Sequence, residues 1–335
     1  MLIDVHAHYS PRRYTETMQR IAGRNRPPSW KNFPDNDTQE QIDGRIQLMD
    51  EAGVQMQVLS HGIMSPYVSD EAKAIEAAKS CNEPYAELVH RYPDRFAAYV
   101  ALPLPHVDAS LREMERGLNE LGMAGVTLNC SCLDVSTVAA EFEPLYDEMN
   151  RRGTVLYYHP AGCGICSPMV TDWGLTGGMG ATLEDTMTVA HLIVRQIPVR
   201  YPNIKIIISH LGGMIPVNLH RMDHQLPGSP VLGSTLTHIE GAAPALAEPP
   251  SVTARRLYYD TVGHGSHAAL LAAWKAFAAD RIVPGSDYPV LLASEPYGET
   301  FSYVKDVGLP ESDVDLILNR NAPALFGLDE IAPRH

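Results

Sequence analysis

A parallel α/β fold of the (β/α)8 TIM-like barrel kind is what three features of the sequence predict. Eight short aliphatic or β-branched runs recur along the chain. Longer segments of helical spacing separate them, and histidines and an aspartate stand just past the ends of several runs. Strand–helix alternation of this kind points to a parallel sheet, and barrels place their chemistry at strand C-termini. An open doubly wound sheet shares the alternation. The first run is not followed by a G-x-G-x-x-G phosphate loop, which weakens a dinucleotide-binding reading.

The candidate strands, in order, are Leu2–Val5, Gln57–Leu59, Phe96–Ala101, Gly125–Leu128, Val155–Tyr158, Ile204–Ser209, Leu257–Tyr259 and Arg281–Pro284. Between them, Thr38–Ala52 reads as a helix, with Thr38 as N-cap and Ile42, Ile46 and Met49 on one face. Ser69–Arg91, Asp108–Leu121, Phe142–Arg152, Leu183–Tyr201 and Ser266–Ala279 have the same spacing. Residues 22–37 and 225–251 read as irregular insertions over the C-terminal face, where lids and subunit contacts are built. One domain spanning 1–335 accommodates all of this.

Composition narrows the partners. The 40 acidic residues outnumber the 26 Lys and Arg, for a net charge of -14. That balance argues against nucleic acid or an anionic membrane, which need a basic surface. It leaves room for a small anionic substrate in a locally positive pocket. No run approaches the roughly 18 apolar residues of a membrane span. The start Met1-Leu2-Ile3-Asp4-Val5-His6 lacks the basic segment of a signal peptide. Five cysteines, an odd number, do not suggest a disulfide framework, so a cytoplasmic setting is the simplest expectation.

The chemistry-bearing residues cluster at the run ends. His6 and His8 close the first run at i and i+2, so on an extended chain both imidazoles face one way and can reach one ion. Alone, such a pair is as often two half-buried histidines as a metal site. His159 ends the fifth run, His210 the sixth, and Asp287 follows the eighth. Five such residues on four strands are hard to obtain by accident.

The ordered motifs DVHAH, YHP, SHLGG and GSDYP resemble the aminocarboxymuconate-semialdehyde decarboxylase group of the amidohydrolase superfamily, the amidohydrolase-2 type. That group also includes decarboxylases of resorcylate-, vanillate- and methylsalicylate-type acids. GRIQLMDEAGVQMQVLS (44–60), RYPDRFAAYVALP (91–103), FEPLYDEMNRRG (142–153) and NRNAPALFGL (319–328) extend the resemblance over nearly the whole chain. It implies one divalent metal per chain held by His6, His8, His159 and Asp287, zinc before manganese. His210 would be the acid/base residue, with Asp287 also able to take part in proton transfer.

The same resemblance places Arg45 on a substrate carboxylate and Arg221 in the neighbouring subunit's pocket, which would require a homodimer or a higher homo-oligomer. Guanidinium forks suit carboxylates, although an arginine on a helix is usually a solvated surface residue. Trp173 stands where the group carries an aromatic lid, and Glu184 either matches a family acid or caps its helix. Several relatives carry glutamate at the first histidine, whereas this chain keeps His6. Tyr9 and Ser10 also resemble a related hydratase, from which the retained GSDYP departs.

Other residues admit blander readings. Cys130 and Cys132, with Cys163 and Cys166, form CxC and CxxC pairs able in principle to hold a second zinc or act in redox chemistry. Small buried cysteines along a pocket wall are the simpler expectation. His61 and His264 point toward the same face and are equally explained by local hydrogen bonds. The activity this resemblance implies is metal-dependent nonoxidative decarboxylation of a small aromatic acid, salicylate- or resorcylate-like, or of a muconate-type acid. A lactone or amide hydrolase, or a hydratase, on the same site is the alternative.

Overall fold

The computed structural model describes residues 1–22, 35–226 and 245–328. The insertions expected at 22–37 and 225–251 lie largely outside the described residues. Each of the eight aliphatic runs falls on a strand: β1 (Leu2–His8), β2 (Val54–Ser60), β3 (Phe96–Ala101), β4 (Gly125–Asn129), β5 (Val155–His159), β6 (Lys205–Ile208), β7 (Tyr258–Asp260) and β8 (Ile282–Val283). They pair in sequence order, every neighbour parallel. Between the ends of the sheet, Val5 N donates to Pro284 O at 2.9 Å and His8 N to Tyr288 O at 2.7 Å. A parallel bridge also joins Ala7 to Tyr288. The arrangement is a (β/α)8 barrel rather than an open sheet.

Strand periodicity sorts the side chains into two apolar layers. Ile3, Val5, Val58, Tyr99, Val155, Tyr157, Ile207 and Val283 fill the barrel's interior, joined by Leu325 from the C-terminal helix Asn321–Phe326. Val100, Leu128, Ile206 and Ile208 face outward into a second core against the surrounding helices. Both layers are buried, so the strands read as continuous apolar runs instead of alternating ones.

Strict alternation along β1 conflicts with the site. If Ile3 and Val5 point inward, His6 and His8 should point out. The register resolves this: Asp4 pairs with Gln57 but Ala7 with Leu59, so β1 holds one extra residue over that stretch. This bulge turns both histidines into the barrel, while Asp4 turns to its wall. There Asp4 accepts from Ser286 Oγ at 2.6 Å, Tyr297 OH at 2.9 Å and Gln57 Nε2 at 3.0 Å.

The expected helical segments form with two departures, and helices such as Arg12–Ala22, Ile215–Gln225 and Glu299–Asp306 arise where none was expected. Gln39–Ala52 begins in a capping box, Thr38 Oγ1 accepting from Gln41 N and the Gln41 side chain accepting from Thr38 N. Such caps contribute about 1 kcal/mol. Helix Val107–Glu115 runs into a π-turn at Arg116–Glu120, where a Cβ on Gly117 would lie 2.4 Å from Val100 Cγ2. The segment expected as one helix over 183–201 is two, Ala181–Val194 and Ile197–Arg200. Gln196 breaks it with a left-handed φ of 53°, and Pro198 supplies no amide hydrogen to continue a ladder. No helix among the described residues is long and apolar enough to cross a membrane.

Candidate metal and acid/base site

Four side chains converge at the C-terminal mouth of the barrel. Ligand-capable atoms of His6, His8, His159 and Asp287, all buried, lie within 4.8 Å of one another. Nε2 of His6 and Nε2 of His8 are 3.2 Å apart, and Asp287 Oδ1 stands 3.2 Å from the first and 2.8 Å from the second.

The opposite ring nitrogens fix the tautomers. His159 Nδ1 donates to Pro160 O at 2.9 Å, since a carbonyl only accepts. His6 Nδ1 donates to Asp260 Oδ2 at 2.8 Å. His8 Nδ1 lies 3.0 Å from Ser60 Oγ, and that hydroxyl is itself placed to donate to Ala7 O. In the neutral rings each Nε2 therefore presents a lone pair, and three lone pairs face a carboxylate in a dry pocket. Only positive charge reconciles such a set. Donors about 2.1 Å from one ion stand roughly 3.4 Å apart at tetrahedral angles, near the spacings here. The residues fit a divalent metal.

The electrostatics show the same demand for positive charge at this point. Burial disfavours a charged His6, yet Asp260 and Asp287 outweigh it and hold its pKa at about 9. Burial, reinforced by His8 and His6, drives His159 well below the usual imidazole value. Burial would raise Asp287, but His6 and His210 hold it well below the usual carboxylate range.

His210 stands beside this cluster. Its Nδ1 meets Asp185 Oδ2 at 2.8 Å, and its Nε2 faces Asp287 Oδ2 across 3.9 Å. Burial would strip its proton, but Asp185 more than compensates and lifts its pKa well above the ordinary value. The backbone here is strained: His210, Leu211, Gly212 and Gly213 have φ of 51°, 54°, 73° and 61°, and Asp287 has 55°. Left-handed non-glycine residues cost on the order of 1–3 kcal/mol each and concentrate at functional sites. The glycine pair is forced sterically as well, since a Cβ on Gly213 would lie 2.2 Å from Thr182 O.

Sequence reasoning did not single out Asp260, Asp185 or Ser60. Asp260 ends β7, the same signal that marked His159. Its Oδ1 accepts from His210 N at 2.9 Å while Oδ2 holds His6. Asp185 lies in helix Ala181–Val194, with no local signal at all. Its neighbour Glu184 does not cap that helix. Its carboxylate accepts from Ala161, Gly162 and Gly164 N and pins the loop after β5.

The remaining expected residues lie elsewhere. Arg45 is buried behind the wall, with Nε on Gln57 Oε1 at 2.7 Å and Nη2 on His8 O at 2.6 Å. Its guanidinium stacks 4.3 Å from the Tyr288 ring centroid, and Nη1 has no partner among the described residues. Trp173 is 78% exposed, and Arg221 is exposed on helix Ile215–Gln225. His61 is buried, its Nδ1 3.0 Å from Gly62 O, and His264 is largely exposed near Glu295. Cys130 and Cys132 are buried as expected, whereas Cys163 is half-buried and Cys166 exposed.

A family model described as Amidohydrolase matches residues 3–328. The chain belongs to the amidohydrolase family. This amidohydrolase is 27% identical to gamma-resorcylate decarboxylase of Rhizobium radiobacter, over 94% of this chain and 95% of that one. It is 28% identical to 6-methylsalicylic acid decarboxylase of Penicillium expansum, over 86% and 84% of the two chains. Among solved structures, it superposes with a TM-score of 0.78 on a dihydroxybenzoic acid decarboxylase from Polaromonas sp. JS666. That protein holds bound manganese and the inhibitor 2-nitroresorcinol; the identity is 24%, covering 98% of this chain and 97% of that one. These relatives are carbon–carbon lyases.

Proposed function

We propose that this amidohydrolase is a metal-dependent nonoxidative decarboxylase of a small aromatic acid of the salicylate or resorcylate kind. The observation that carries the reading is the juxtaposition just described: four lone-pair donors facing one point, with the Asp185–His210 pair beside them. Among the curated relatives are decarboxylases of hydroxylated benzoic acids, which makes this substrate class the first choice over muconate-type acids.

His6, His8, His159 and Asp287 would hold the metal. When bound, a divalent cation counters the negative charge of a substrate's carboxylate and neighbouring oxygen and makes the site a Lewis acid. Three nitrogens and one carboxylate suit zinc, and manganese is the other metal to be compared. His210 supplies the proton. With Nδ1 fixed by Asp185, the protonated ring directs Nε2–H into the site. As the bond between ring carbon and carboxylate breaks, CO2 departs and the electron pair left on carbon takes the Nε2 proton. Asp287 Oδ2, facing Nε2, stabilises the charged ring beforehand. Such acid/base groups contribute typically 10²–10⁴-fold.

Arg45 acts here as a positioning residue for His8 through its backbone carbonyl, with its unpartnered Nη1 buried behind the wall. A second copy of the chain is proposed to cover exposed Met169, Trp173, Met179, Met187 and Val217. Arg221 lies one helical turn from Val217, on the same face of its helix. Five cysteines, an odd number, fit a reducing, cytoplasmic location.

The test combines metal analysis with CO2 detection on purified protein, across hydroxybenzoic and muconate-type acids, with lactones and amides alongside. About one metal per chain and CO2 from a hydroxybenzoic acid, abolished by chelation, is the expected result. Metal present with lactone or amide hydrolysis but no CO2 would transfer the assignment to a hydrolase. His210→Ala is expected to keep its metal and lose at least about 100-fold in turnover.

A further inference from the structure

The metal site leaves one pair of nucleophilic side chains unused. Cys163 and Cys166 lie in the turn after β5 with their sulfurs 3.2 Å apart. Cys166 N donates to Cys163 O at 3.0 Å, the i to i+3 bond of a tight turn. That turn brings the two Cα atoms within about 7 Å, the range a disulfide spans.

The turn is held in place rather than left to wander. Ala161, Gly162 and Gly164 N all donate to the Glu184 carboxylate. Gly164 has a φ of 59°, and a Cβ there would lie 2.7 Å from Val170 Cγ1, so the close packing requires glycine. The other three cysteines, Cys81, Cys130 and Cys132, are buried. Access and proximity thus coincide at one pair.

We propose that Cys163 and Cys166 form a reversible intramolecular disulfide by exchange with a small-molecule disulfide such as glutathione disulfide. Exposed Cys166, as thiolate, attacks one sulfur of the reagent; the reagent's S–S bond breaks and one glutathione thiolate leaves. Cys163, as thiolate, then attacks Cys166 Sγ in the mixed disulfide and displaces the second glutathione thiolate. The two cysteine protons end on the two released thiols. The protein pair is oxidised by two electrons and the reagent is reduced by two. Partial burial, then the contacts of Cys166 Sγ with Asp134 and Cys163, push the Cys166 thiol up. Exchange is therefore slow at neutral pH and quickens with alkali.

The test uses the full chain, reduced, freed of reductant, incubated with glutathione disulfide, alkylated and mapped by peptide mass spectrometry. The expected product is one peptide carrying a Cys163–Cys166 disulfide, with Cys81, Cys130 and Cys132 still thiols. In Cys163→Ser the mixed disulfide has no resolving thiol, so glutathione stays on Cys166. Wild-type Cys163 and Cys166 recovered fully alkylated, or wild-type Cys166 keeping its glutathione, would overturn the proposal. The wild-type map stands whether or not the variant folds. It needs neither metal nor substrate, so its failure is separate from failure of the decarboxylase reading.

Discussion

Asp260 Oδ2 accepts a hydrogen bond from His6 Nδ1 at 2.8 Å, and its other oxygen accepts from the backbone of His210. One carboxylate at the end of β7 therefore sets the tautomer of a proposed metal ligand and the position of the proposed acid.

Asp260→Asn separates those two duties. The amide oxygen can still accept from His210 N, but an amide NH2 cannot accept from His6 Nδ1–H. His6 then gains by protonating Nε2, where a ligand is needed. Loss of such an orienting partner typically costs 10–100-fold in metal affinity. Competition against a chromogenic chelator should show that drop; unchanged affinity would mean His6 is not a ligand.

Asp185→Asn acts on the other half of the pair. Asp185 contacts His210 Nδ1 and accepts from Ser209 Oγ at 2.7 Å. It is not among the four convergent donors. The variant should keep its metal stoichiometry while kcat falls about 100-fold or more, because the imidazole loses both its orientation and its raised proton affinity. Metal loss parallel to activity loss would instead make Asp185 part of the metal's support.

Metal removal should cost stability as well as activity. A ligand bound by the folded state alone adds about 2.7 kcal/mol at a free concentration 100 times its Kd. Chelated protein should melt at a lower temperature, recover on adding zinc or manganese, and the metal restoring the higher turnover identifies the working ion. An unchanged melting temperature after verified removal would contradict a site built into the fold.

The sequence makes some of this plain and hides the rest for a physical reason. The strands are legible because burial on both faces writes them as aliphatic runs, and His159 and Asp287 stand visibly at their ends. The β1 bulge is not legible, since it exists only relative to the register of β2. Asp260 carries the same strand-end signal after two tyrosines as His159 does, but the run it closes, Leu257–Tyr259, is only three residues long with a single aliphatic side chain. Asp185 carries none, because its role arises where helix Ala181–Val194 meets the loop after β6. The break at Gln196 was available in Pro198, two residues on, yet helical spacing continues across it.

The strain around His210 is held by Gly213, and Gly213→Ala should release it destructively. The new Cβ would meet Thr182 O at 2.2 Å, on a backbone with φ of 61°. Neither the carbonyl nor the left-handed turn can yield without moving helix Ala181–Val194, and with it Asp185. A loss of roughly 1–3 kcal/mol in unfolding free energy is expected from backbone conformation alone.

Arg45 gives the sharpest division between holding the fold and gripping substrate. Its Nη2 supports the His8 carbonyl and its Nε the Gln57 side chain, both buried. Arg45→Met keeps the apolar volume but leaves those acceptors unpaired, at about 1–3 kcal/mol each. If Arg45 positions His8, the variant should lose thermal stability and bind metal more weakly, and KM should change little in fully loaded enzyme. If its principal task is the substrate's carboxylate through Nη1, metal affinity should hold while KM rises. Measuring melting temperature, metal affinity and KM on one preparation decides between them. The two hydrogen bonds already made by the guanidinium favour the first outcome.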